Sequence, residues 1–277
     1  MLRPISPDKN RGFWFIDWER KIGYFLNYGL AKSKDIDIIE NMRERIVAGN
    51  IYHVVSRGVD KRQIYMEDKN YFRFIHDLFE FNDTEPASNL DYLFKRKFQS
   101  MDFASPNIEK EGKKPRKLLV EILAFALLPN HYHLLLRPLS NDGLVKFMRK
   151  LNIGYAKYFN EKFNRTGALF EGRYRLVPVI DESHFTYLPY YIHLNPLDLI
   201  FPEWRTDQVV NAKKAMEFLE TYRWSSHLDY LGKNNFPSIT QREFLTGILG
   251  EPAKYRENMG DWLKDVNLSD ASEILME

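Results

Sequence analysis

Cysteine is absent from the 277-residue chain, which excludes disulfides and thiolate metal sites. No apolar run is long enough to span a bilayer, and the first residues carry no signal-peptide pattern, so a soluble, cytoplasmic protein without a membrane partner is the expectation. Net charge is scarce too, at +2, and by itself points to no partner. Its distribution says more. Eight Lys or Arg stand against two Glu between Gly143 and Pro178, whereas Asp261 to Glu277 holds five acids and one Lys. A basic middle with an acidic tail suits a protein that meets an anion locally, although charge alone reads first as a solvated helix face.

Material for a core is plentiful. Hydrophobic residues make up 44% and aromatics 15%, which excludes global disorder. Residues 1–41 hold an aromatic cluster (Phe13, Trp14, Phe15, Trp18) and no chemical motif, and read as an appendage. Ile51 to Arg57 is rich in β-branched and aromatic residues and stops at Gly58, as a strand should. Tyr71, Phe72, Ile75, Leu78 and Phe79 recur at helical spacing within Glu67 to Phe81. Residues 82–117 are polar and read as a long loop or insertion. Leu118 to Leu128 is an apolar strand broken by Pro129-Asn130, and His131 to Arg137 returns as its hairpin partner. Gly143 to Asn164 is a long amphipathic helix, followed by a glycine-punctuated loop and a short strand over Leu176 to Ile180. Asp181 is placed to cap a helix running to about Leu194, and Ala212 to Tyr222 is another helix. The order strand, helix, strand pair, helix, strand, helix predicts an α+β fold with an antiparallel sheet of ferredoxin-like or RRM-like type. The core domain is expected over 42–232, with a helical extension and acidic tail over 233–277.

Two constellations carry chemistry. In His131-Tyr132-His133 the alternation of a strand puts both imidazoles on one face, about 7 Å apart, within reach of one metal ion. A bare His-x-His is more often a hydrogen-bonded pair, but its apolar flanks demand that these polar rings be satisfied. A third ligand is still needed. In Tyr190-Tyr191-Ile192-His193-Leu194-Asn195-Pro196, Tyr191 and Asn195 stack four apart on a helix face. A tyrosine attacks phosphorus well only if its proton is drawn off and the phosphate charge is neutralised, which a metal on His131, His133 and the Asn195 carboxamide would favour. The plainer reading makes Tyr190 and Tyr191 core and Asn195 a helix cap. Tyr155 and Tyr158 look like core or a stacking platform, and Tyr187 is a weaker rival. His184 and His193 read as structural or phosphate-facing, and His53 as a residue that simply sits on its strand.

The loop with Arg165, Gly167, Phe170, Gly172, Arg173, Tyr174 and Arg175 mixes glycines, arginines and aromatics, the means to approach phosphate and stack on unpaired bases. Arg57, Lys61 and Arg62 extend that surface.

Together these residues resemble a known family, the REP-associated tyrosine transposases, relatives of the single-tyrosine insertion-sequence (IS200-like) transposases of the His-hydrophobic-His (HUH) class. The segments IYHVVSRGVDKRQIY, LLPNHYHLLLRP, MRKLNIGYAKYFNEKFNRTGALFEGRYR, YYIHLNP and YRWSSHLDYLG carry it, in family order, from Arg45 to Gly232. The resemblance implies the HUH single-tyrosine fold, a metal pair at His131 and His133 completed by Asn195, and Tyr191 as nucleophile. It implies Mg²⁺ or Mn²⁺ as the metal, and single-stranded DNA bearing hairpins (REP-like palindromes) as the partner. The chemistry implied is cleavage and rejoining through a 5′-phosphotyrosine link that leaves a free 3′-hydroxyl. Relatives often work as homodimers. Residues 1–41 and the length of 82–117 depart from the family pattern. A non-catalytic hairpin-binding module and a water-using, metal-dependent nuclease are the alternative readings.

Overall fold

A strand with both faces covered can be apolar over most of its length, and the strand Val120–Leu128 of this chain, VEILAFALL, is. The computed structural model describes residues 46–85, 116–180, 182–205 and 211–265. The segment 1–41, most of the 82–117 loop, the Asp181 cap and the end of the acidic tail lie outside them. Among the described residues no helix is long and apolar enough to cross a membrane.

Strands β1 (Tyr52–Arg57), β2 (Val120–Leu128), β3 (His131–Pro138) and β4 (Arg175–Pro178) form one sheet in the order β2-β3-β1-β4. Every pairing is antiparallel. Helix α1 (Asp68–Glu80) joins β1 to β2, and α2 (Gly143–Lys162) joins β3 to β4. This is the α+β sheet of ferredoxin-like order that the sequence predicts. Helix α1 begins at a reciprocal cap in which Glu67 and Asn70 satisfy each other's backbone N–H. It closes on α2 where Gly154 leaves room, since a Cβ there would stand 2.4 Å from the Phe81 ring.

Alternation divides the sheet into two cores. Tyr52, Val54, Phe125, Leu127, Tyr132, Leu134 and Leu136 point to the face covered by α1 and α2. Leu123, Ala124, Ala126, Leu128 and Leu135 point to the other. A register shift between Ile122 and Ala124 re-aims Leu123 onto this second face.

A ferredoxin-like sheet alone would leave that second face open. Here α3 (Glu182–Leu194), the 3₁₀ turns Asn195–Leu199 and Pro202–Arg205, α4 (Ala212–Leu219), the short α5 (His227–Tyr230), α6 (Glu243–Leu249) and α7 (Pro252–Asp265) follow the sheet in the chain. Leu188, Tyr191, Trp204, Leu219, Tyr255 and Met259 bury against it. The free edge of β2 is covered by the aromatic turn, through Leu127 N–H to Trp224 O at 2.8 Å and Ser226 N–H to Phe125 O at 3.0 Å.

Candidate active site

The site is built on the second face, where β3 and β1 lie side by side and α3 crosses them. The two-residue reversal Pro129-Asn130 starts β3, so alternation sends His131 and His133 to this face and Tyr132 to the other. Their ring centroids are 5.0 Å apart at 72°. His53 is brought in from β1, its ring centroid 5.2 Å from that of His133 and its plane within 15° of parallel, with its Nε2 2.9 Å from His133 Nδ1. Tyr191 on α3 meets both rings edge-on, 6.0 Å from His133 and 6.2 Å from His53. One helical turn later the Asn195 amide N–H donates to the Tyr191 carbonyl at 2.8 Å. The structure thus brings His131, His133, Tyr191 and Asn195 together within one chain. Asn195 also caps the helix, so the plainer reading of that residue holds beside the chemical one.

All three imidazoles are neutral. Burial pushes His131 and His53 down to about 3 and His133 well below its ordinary value. Cations oppose protonation as well, Arg57 and Arg205 at His131 and His133, and Arg175 (after His184) at His53. Neutral rings keep the lone pairs that a metal requires.

Neutral imidazole nitrogens beside an amide oxygen are donors that a divalent cation can use. His131 Nε2 is buried and makes no hydrogen bond among the described residues, while Nδ1 of the same ring is engaged 2.6 Å from Asn130 Oδ1. No group of three His, Asp or Glu side chains among the described residues is arranged to hold an ion. An amide oxygen is another donor of the kind a divalent cation takes. Asn195 Oδ1 offers one. It already accepts from Arg205 Nη2 at 2.7 Å, which leaves one of its two lone-pair directions.

Arg205 was not legible as a site residue. Its guanidinium lies 5.7 Å from the Tyr191 ring centroid and 4.8 Å from that of Trp204, and it donates to Asp198, which also accepts from Trp204 Nε1 at 2.5 Å. This clasp over Pro202–Arg205 leaves Tyr191 only 1% exposed. No short-range spacing signals it. His53 did carry a signal, since alternation places it with Arg57 on one face of β1, opposite Tyr52 and Val54.

The basic residues divide. Arg57 pairs across the ladder with His131, and Arg175 is held beside His53 through the pairing of β4 with β1. Lys61 joins Arg57, Asn130, His131, Asp198 and Leu199 around an open cavity of about 450 Å³. Arg62 pairs with Asp60 at 3.2 Å, Arg165 contacts Asn160 and the Phe159 ring, and Arg173 lies over Tyr174. The contacts of these last three are local. Of the rival tyrosines, Tyr155 is core, its hydroxyl donating to Ile64 O at 2.6 Å.

No curated protein matches the chain. A solved structure described as a REP-associated tyrosine transposase bound to a REP hairpin aligns at 13% identity with a TM-score of 0.42, covering 72% of this chain and 88% of that one. Residues 110–195, the stretch that contains His131, His133, Tyr191 and Asn195, match the model of the family described as "Transposase IS200 like".

Proposed function

We propose that the chain cleaves and rejoins single-stranded DNA beside hairpins, with Tyr191 as nucleophile and Mg²⁺ or Mn²⁺ at His131, His133 and Asn195. The observation that carries the reading is the packing of the Tyr191 ring against His133 and His53 on one buried sheet face, with Tyr191 and His133 both inside the segment that matches the IS200-like transposases.

His131 and His133 would hold the cation through Nε2, with the Asn195 carboxamide oxygen beside them. When bound, the cation polarises the scissile phosphate. The rest falls to the chain. Arg57 and Lys61, on the wall of the cavity that reaches His131, bind phosphates of the strand. The phenol of Tyr191 loses its proton as its oxygen bonds to phosphorus, and the 3′ oxygen leaves and takes up a proton. The 5′-phosphotyrosine keeps the energy of the broken bond for rejoining. Burial of Tyr191 keeps water from competing with it, and also requires the Asp198–Arg205 clasp to yield when DNA enters.

The test mixes protein with labelled hairpin-bearing single strands from its own genomic neighbourhood and Mg²⁺ or Mn²⁺. A denaturation-resistant protein–DNA adduct is expected, lost in Tyr191→Phe and in His131→Ala. Cleavage without an adduct that survives Tyr191→Phe would establish the water-using nuclease instead. Hairpin binding with neither adduct nor cleavage would establish the binding module.

A further inference from the structure

A histidine that binds a metal through Nε2 has to carry its proton on Nδ1, which is the less favoured tautomer of a free imidazole. A neighbouring acceptor at Nδ1 removes the difficulty by holding the proton there. Both candidate metal ligands have such a neighbour, and the two neighbours come from different parts of the fold.

For His131 the neighbour is Asn130. The Asn130 amide nitrogen donates to Lys61 O at 3.2 Å, which turns its oxygen the other way, 2.6 Å from His131 Nδ1. An amide oxygen only accepts, so His131 Nδ1 is the protonated nitrogen and the buried Nε2 keeps its lone pair. The loop that offers Lys61 O is itself shaped for this. Gly58 lets it fold back, since a Cβ there would stand 2.3 Å from Arg62 O, and Asp60 and Lys61 adopt left-handed φ values of 55° and 56°. For His133 the neighbour is His53, its ring parallel within 15° and its Nε2 2.9 Å from His133 Nδ1. That length suits one N–H···N bond between neutral rings, with the proton on one nitrogen and the lone pair on the other.

We infer that His53 and Asn130 are positioning residues that fix His133 and His131 as Nδ1–H tautomers, so that two Nε2 lone pairs face the metal position together. His53 is no ligand in this arrangement, because the nitrogen it turns towards the site is spent on His133. The inference rests on the metal-site reading proposed above and adds to it the pair that orients the ligands.

The experiment has two arms on the full chain. In the first, long-range ¹H–¹⁵N correlation spectra of metal-free, ¹⁵N-histidine-labelled protein identify the protonated nitrogen of each ring. His131 and His133 are expected to show Nδ1–H, with His133 reverting in His53→Leu and His131 in Asn130→Ala. In the second, Mn²⁺ binding is titrated by electron paramagnetic resonance. Each of these variants is expected to lose roughly 10–100-fold in affinity, the usual effect of removing an orienting partner. His53→Gln and Asn130→Asp, which keep an acceptor in place, are expected to recover most of it. The Asn130 variants lie at a turn, so they serve even where a core change at His53 upsets folding. Nε2–H rings in a wild-type protein that still binds Mn²⁺ would overturn the inference and leave the metal reading standing. Nδ1–H rings in a protein that takes up no Mn²⁺ would overturn the metal reading, and with it the purpose assigned to the pair. Equal losses in the acceptor-keeping and acceptor-lacking variants would reduce both residues to packing.

Discussion

Arg205 is the residue on which the proposed site turns. Its guanidinium donates to Asn195 Oδ1 and to Asp198 and lies over the Tyr191 ring, and its charge opposes protonation of His131 and His133. The same charge must repel a divalent cation and attract a phosphate. Arg205→Met is therefore expected to tighten Mn²⁺ binding by roughly tenfold, about 1.4 kcal/mol, while slowing formation of the DNA adduct at saturating metal. An electron paramagnetic resonance titration and a single-turnover adduct assay read the two effects separately. Weaker Mn²⁺ binding in the variant would mean that Arg205 serves to hold Asn195 in place. None of this is visible in the sequence, because Arg205 reaches Asn195 by way of a 3₁₀ turn. That His131 and His133 share one face, and Tyr191 and Asn195 another, was legible because strand alternation and a four-residue helical step fix their facing locally.

At the scale of elements, strands and helices with strong periodicity were readable almost to their ends. Helix α1 lies within Glu67 to Phe81, and β2 and β3 meet at the Pro129-Asn130 break. The packing of the closing layer was not, because its contacts are distant in sequence, although two of its helices, α3 and α4, were read near their observed bounds. Tyr255 of α7 lies 2.8 Å from His193 Nδ1 and 2.8 Å from His227 Nδ1, and His193 Nε2 lies 2.7 Å from Ser226 Oγ. Tyr255 also stacks on Tyr190 at 5.6 Å. His193 follows Tyr191 by two residues on α3, so this buried network ties α7 to the proposed nucleophile helix. Nothing near His193 in the sequence tells its structural role from a phosphate-facing one, since its partner Tyr255 is 62 residues away. Tyr255→Phe keeps the ring but strips both imidazoles of a buried partner, at a cost of about 2–4 kcal/mol. Calorimetry should record a fall in Tm of roughly 5–15 °C. A shift within a degree would place the hold of α7 in its apolar contacts alone.

Five of the seven histidines are buried and kept from protonation in the folded protein: His53, His131, His133, His193 and His227. His53, His131 and His227 titrate at about 3, against 6.5 in the unfolded chain, with burial as the first cause in each. His133 and His193 are lowered well below 6.5, again chiefly by burial. Below pH 6.5 the unfolded chain therefore binds protons that the folded protein refuses, and stability falls as pH falls. The contribution is whole above 6.5 and is lost progressively from there down to about 3. Between pH 7 and 5 each such ring costs about 2 kcal/mol. Tm measured against pH in metal-free buffer should hold level above neutrality and drop steeply below 6.5. Mn²⁺, which binds only the neutral rings, should raise Tm and move the drop to lower pH. A Tm that stayed level from pH 7 to 5 would mean that these rings take up protons in the folded state. The neutral imidazole pair on which the metal reading depends would then not exist.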